Sequence, residues 1–132
     1  MENKALDYYK SGFNCAQSIL KACNEDLKLT DNENELLKAA MGLGTGMFVG
    51  ETCGAVTGAI MALSLKLGSS QAADRENMRK VFKQIKIFET TFKEKNCSMN
   101  SKELKTDYKI DCEKVIKDSA EQVKKQISEL EV

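Results

Sequence analysis

Apolar residues recur three and four positions apart along most of the chain, the spacing that gives one side of an α-helix a continuous apolar face. Ala16, Ile19, Leu20, Cys23 and Leu27 form such a face in a helix that the pattern starts after Asn14. A shorter helix over Lys4 to Lys10 precedes it, closed by Gly12. Thr30-Asp31-Asn32-Glu33 has the form of a capping box opening a third helix, with Leu36, Leu37 and Ala40 on its apolar side. Thr52 or Glu51 caps a fourth helix that Gly68 ends. A fifth begins near Ser69 or Ser70, carries Met78, Val81, Phe82, Ile85, Phe88 and Phe92 on its buried side, and closes at Asn96. The polar segment from Cys97 to Asp111 reads as a loop with a single turn around Lys102 to Leu104. Asp111 then caps a last helix in which Ile116, Ala120, Val123, Ile127 and Leu130 repeat at fours and threes, a stripe suited to the bundle or to a second copy in a homodimer. No stretch alternates with period two, and proline is absent. The pattern therefore predicts an all-α, compact bundle of five to six helices.

Glycine gives that bundle its unusual centre. Gly42, Gly44 and Gly46 alternate through a loop, and Gly50, Gly54, Gly58 and Ala62 then recur every four residues, leaving one face of the fourth helix without bulk. Each interior glycine costs about 0.5–1 kcal/mol relative to alanine, so something must approach that face closely. Tight helix packing accounts for Gly58 and Ala62. Gly54, beside Cys53 at the helix entrance, instead suggests access of a thiolate, a cluster or a substrate to backbone N–H groups. The Gly42–Gly46 run lacks the preceding strand and the Gly-Lys-[Ser/Thr] ending of a phosphate loop.

Length and charge narrow the class. The 132 residues suit a single domain spanning 1–132, and twenty basic against twenty acidic residues leave no net charge, so nucleic acid is not an expected partner. The start, Met1-Glu2-Asn3-Lys4, does not resemble a secretory signal, which points to the cytoplasm. Residues 41 to 65 carry only Glu51 as a charge, but six glycines and that central carboxylate argue against membrane insertion.

The candidate chemistry is sulfur. Four of five cysteines directly follow a capping or turn residue: Asn14-Cys15, Thr52-Cys53, Asn96-Cys97 and Asp111-Cys112. The start of a helix offers unpaired N–H groups and the positive end of the dipole, which favour thiolate. Cys23 lies on an apolar face and reads as packing. An odd number of cysteines in a reducing compartment does not suggest structural disulfides. Histidine is absent, so no Cys–His dyad can form, and any soft metal site must be thiolate or oxygen. Glu51 and Asp111 flank the cysteines and read chiefly as caps or surface. Three readings stay open. Cys53 attacks as thiolate and one of Cys15, Cys97 and Cys112 resolves it, an oxidoreductase chemistry without any Cys-x-x-Cys pair. The four thiols instead hold an iron–sulfur cluster or another thiophilic metal, with Gly54 beside it. Or the cysteines are core residues of a structural, dimerising bundle.

Cys53-Gly54-Ala55-Val56-Thr57-Gly58 resembles the Cys-Gly-Ala-x-x-Gly motif of the C_GCAxxG_C_C family of redox-active proteins. Cys15, in Phe13-Asn14-Cys15-Ala16-Gln17, is similar to the first family cysteine, and Cys97 and Cys112 to the two that follow the motif. The resemblance runs from about Gly12 to Val115 and leaves Cys23 outside. It implies a redox role for Cys15, Cys53, Cys97 and Cys112, working with a redox partner protein or a small thiol or electron carrier, and it supplies no reaction or substrate.

Overall fold

The computed structural model describes residues 2–44 and 46–130. Six α-helices account for most of them: α1 (Glu2–Ser11), α2 (Cys15–Leu27), α3 (Glu33–Ala40), α4 (Gly54–Leu67), α5 (Arg75–Asn96) and α6 (Cys112–Leu130). The fold is all-α, as the periodicity predicts. Among the described residues, extended pairing is limited to one isolated antiparallel bridge between Thr52 and Asn100. No described helix is long and apolar enough to cross a membrane.

Three helices, α2, α4 and α6, pack on one another and hold the core. Ile19, Leu20 and Cys23 come from α2, Val56, Ala59 and Leu63 from α4, and Ile116, Val123 and Ile127 from α6, all essentially excluded from solvent. Helix α1 lies against α2 and α6, α3 against α2, and α5 against α4 and α6.

The α2–α4 contact is the most extensive in the fold and explains most of the glycine row. A Cβ on Gly58 would stand 2.8 Å from the Ala16 carbonyl oxygen and 3.0 Å from the Ala16 Cα, so the two backbones touch where any side chain would part them. Gly54 is explained in the same way: its Cβ would stand 2.9 Å from the Cys15 Cβ. The missing side chain makes room for Cys15, a neighbour within the chain, where sequence suggested an opening for a ligand. Gly50 does not belong to this face. It precedes the helix, has φ of 76° and would meet only the Lys102 Cβ at 3.7 Å.

Polar ties fix α6 axially. The Ser119 hydroxyl donates to the Ala55 carbonyl at 2.7 Å near the start of α4. Gln126 donates to both the backbone carbonyl (2.9 Å) and the side-chain oxygen (3.0 Å) of Gln84 on α5. At the end of α5, buried Asn96 donates to Asp118 (3.1 Å) and accepts from Lys114 (2.8 Å), which satisfies an amide that would otherwise destabilise the core.

Several boundaries differ from expectation. Helix α5 starts at Arg75, not at Ser69 or Ser70, because Asp74 caps it, accepting from the Asn77 N–H at 3.2 Å, while the Ser69 hydroxyl accepts from the Gln71 N–H in a turn. Met78 and Phe82, expected inside, are 61% and 62% exposed, Val81 and Ile85 are half-buried, and full burial comes only in the later half of α5, at Phe88 and Phe92. The capping box at Thr30 does not form: its hydroxyl accepts from the Asn32 N–H at 3.1 Å, and Asn32 stands at the cap position without a side-chain bond. Neither Glu51 nor Thr52 caps α4; Cys53 itself occupies that position. Within the expected loop of 97–111, a wide helical turn over Glu103–Asp107 buries Leu104.

Candidate functional site

Three cysteines stand at the starts of the three core helices, and mutual packing of those helices brings the starts together. Cys15 is the first residue of α2, positioned by a full capping box in which Gln17 N–H donates to Asn14 Oδ1 (2.9 Å) and Asn14 N–H to Gln17 Oε1 (3.2 Å). The Asn14 amide also donates to the Met41 carbonyl at 2.8 Å, tying the glycine loop to this end of the bundle. Cys112 is the first residue of α6, after Asp111, whose carboxylate accepts from the Glu113 N–H at 3.2 Å. Cys53 immediately precedes α4, held by its own N–H donating to the Met99 carbonyl at 2.8 Å. Three positive dipole ends thus face one group of sulfurs.

The three thiols are not equivalent. Cys15 and Cys112 lie close enough for each to shift the other's ionisation, in opposite directions. The hydrogen bond from Cys15, joined by one from the Tyr9 hydroxyl and by the charge of Lys105, brings Cys112 down to about 6 against the opposing effect of its partial burial. Cys15 moves far upward, because it donates to Cys112, is buried, and faces the charges that develop on Cys53 and Cys112. The pair thus favours the charge on Cys112 and the proton on Cys15. Burial raises Cys53, although the Ala55 and Val56 N–H groups lie close enough to favour its thiolate without forming a capping hydrogen bond. Exposure follows the same order: Cys15 and Cys53 are buried, whereas Cys112 is partly open.

Two residues that sequence reading did not single out complete the group. Tyr9 reaches Cys112 from α1, which the Lys10–Glu113 ion pair (3.6 Å) holds alongside the start of α6. It falls four residues after buried Ala5, the one hint in the sequence that it faces inward. Lys105 projects from the 103–107 turn and lines a small cavity with Cys53 and Cys112. Nothing in the polar run around it signals this.

Cys97 is placed elsewhere. It is exposed and forms the left-handed cap at the end of α5, with φ of 71°, so it has neither helix-start N–H groups nor the positive dipole end. Cys23 is fully buried in the middle of α2. Among the described residues, no three or more Cys, Asp or Glu side chains are arranged to hold a metal ion, and the donor set of a four-cysteine cluster is not assembled. Glu51 is exposed and Asp111 caps α6.

The model of a family described as "Putative redox-active protein (C_GCAxxG_C_C)" matches residues 13–126, a span that includes all five cysteines and begins after Tyr9. No curated protein and no solved structure matches. With the match extending over most of its length and the motif at the start of α4, the chain belongs to the C_GCAxxG_C_C family of redox-active proteins.

Proposed function

We propose that the protein is a dithiol redox carrier in which Cys112 and Cys15 are the working couple. What supports this reading is the meeting of the two thiols at the starts of α2 and α6, where each shifts the ionisation of the other, Cys112 downward and Cys15 upward. A thiolate at ordinary pH, partly open to solvent, is the group that attacks, and a protonated thiol beside it is the group that resolves. The emphasis thereby moves from Cys53 to Cys112.

With a disulfide RS–SR′ as oxidant, the Cys112 sulfur attacks one sulfur, the S–S bond breaks, and R′S⁻ departs. The Cys15 sulfur then attacks Cys112 in the mixed disulfide, forms the Cys15–Cys112 bond, and releases RSH with its own proton. Two electrons pass to the oxidant, and an external dithiol returns them. Tyr9 and Lys105 hold the thiolate between turnovers. Cys53, buried and protonated, is not needed for the cycle.

Oxidation with diamide followed by peptide mapping tests the reading. The expected product is a single reversible Cys15–Cys112 disulfide. A protein whose Cys15 and Cys112 remain reduced, or pair only with other cysteines, would overturn it.

A further inference from the structure

The first half of α5 leaves an apolar track uncovered. Met78, Phe82 and Ile85 follow one another at steps of four and three residues, and with Ser64 and Gly68 at the end of α4 they line a cavity of about 320 Å³. Phe82 also borders a second hollow, of about 520 Å³, which continues past exposed Ile87 to Thr91. From Met78 to Thr91 the track follows α5 for about 20 Å, close to four helical turns. Charge is as uneven as polarity here: residues 75 to 87 hold five cations and one carboxylate, in a chain with no net charge. Glu76 pairs with Lys80 at 3.7 Å, and Lys86 pairs with Glu89 at 3.6 Å while lying over the Phe82 ring at 5.6 Å. Arg75, Arg79 and Lys83, exposed and four residues apart, form a row of cations beside the apolar track.

We propose that this track is the docking site of an acidic amphipathic helix on a partner protein. The apolar side of such a helix, repeating at three and four residues, covers Met78, Phe82 and Ile85, and its carboxylates meet the row of Arg75, Arg79 and Lys83. Charge and shape favour this occupant over two others. In a two-fold dimer of this chain the same patch faces itself, so the row would lie cation against cation. A lipid surface would bury the Asp74 carboxylate, which lines the same cavity and accepts from the Asn77 N–H (3.2 Å) and side-chain amide (2.8 Å) at the start of α5. The thiols stand at the other end of α4, whose 14 residues span about 20 Å, so the docked helix does not cover Cys112. The inference rests on α4 and α5 and is independent of the Cys15–Cys112 couple.

Two helical peptides of about 16 residues test the inference, both with leucine along one face, one flanked by glutamate and the other by lysine. Titrated into the isotope-labelled full chain and followed by amide chemical shifts, the glutamate peptide is expected to perturb residues 64–91 and to bind at least about tenfold more tightly than the lysine peptide. Its affinity should fall at least about threefold between about 50 and 200 mM salt. Phe82→Gln, at an exposed position, should weaken it at least about fivefold, and Arg79→Glu combined with Lys83→Glu should shift the preference to the lysine peptide, with circular dichroism unchanged in both variants. Equal affinity for the two peptides, perturbations confined to other helices, or no binding of the glutamate peptide at about 1 mM would overturn the proposal. A dimer in sedimentation that Phe82→Gln dissociates would do the same and assign the track to a second copy. Binding to phosphatidylglycerol vesicles without binding to the glutamate peptide would assign it to lipid.

Discussion

Cys15 and Cys23 belong to one helix, are both shielded from solvent and differ by only two turns, yet their surroundings give them opposite chemical prospects. Cys23 sits in the interior of α2 among core side chains, where burial pushes its thiol up to about 12. Cys15 sits at the first position of the same helix, where α4 and α6 also begin, and its proton stabilises a second sulfur. Burial by itself therefore does not decide whether a cysteine reacts. What decides is whether the burial occurs against a partner that can take the charge.

The most severe way to break this contrast is Cys112→Ser. Without a partner, Cys15 should behave like Cys23: no disulfide forms on diamide treatment, and total thiol alkylation at pH 7 attributable to the helix-start group falls at least about tenfold, measured by mass spectrometry. Persistent fast alkylation of Cys15 would show that position on the helix matters more than the pair.

Gly58→Ala strikes between the two thiols, opposite Ala16 and Ile19. Its Cβ meets backbone, which cannot rotate away, so overpacking of about 1–3 kcal/mol is expected to exceed the gain of about 0.5–1 kcal/mol from replacing glycine in a helix. Urea unfolding measures the net loss. Unchanged or greater stability would mean that α2 and α4 separate easily.

Tyr9→Phe sharpens the contrast without breaking it. Removing the hydroxyl raises the Cys112 ionisation from about 6, so alkylation at pH 6.5 should fall about threefold and recover by pH 9. The same ionisation governs stability. A thiol whose folded value lies below its unfolded value of about 9 contributes fully above 9 and loses that contribution as pH falls through about 6. For this group, the reduced protein should gain stability from pH 6 to 9, and the Cys15–Cys112 disulfide should abolish that gain. The raised Cys15 works the other way, but only above the unfolded value. A flat pH profile for reduced protein would contradict the unequal sharing of the proton.

Cys23→Ala should have the smallest consequence. A loss of about 1 kcal/mol from one missing buried atom, with diamide and alkylation behaviour unchanged, is the outcome expected of a packing thiol.

Much of this architecture is legible in the chain. Helix α2 is the clearest case, since Asn14, Gln17 and the Ala16–Ile19–Leu20–Cys23 face specify its start and its buried side, and the observed capping box and core agree. Cys97 shows the limit of the same signal. Asn96 resembles a cap, but residues of that type also close helices, and here its side chain is engaged by Asp118 and Lys114 while Cys97 turns left-handed. Met78 and Phe82 fit a buried stripe by spacing, which records where apolar groups lie on a helix but not how far the neighbouring helices extend. The role of Tyr9 is not legible for a different reason: its spacing from Ala5 hints that it faces inward, but its partner, Cys112, is on the last helix, and no local pattern in α1 encodes that meeting.

The hydrogen bond from Ser119 to Ala55 has a consequence for how this chain tolerates changes in length. Cys112 precedes Ser119 by seven residues, close to two full turns, so both occupy one side of α6 and the bond near α4 sets where the sulfur ends up. Inserting or deleting one residue between them would swing Cys112 by about 100° and slide it about 1.5 Å, carrying it away from Cys15 while Ser119 stayed docked. The stretch from 69 to 74, which carries no such gauge, can absorb added residues with little effect on the thiols. Length variation among natural versions of this chain should therefore collect before α5 and be excluded from the seven residues that begin α6.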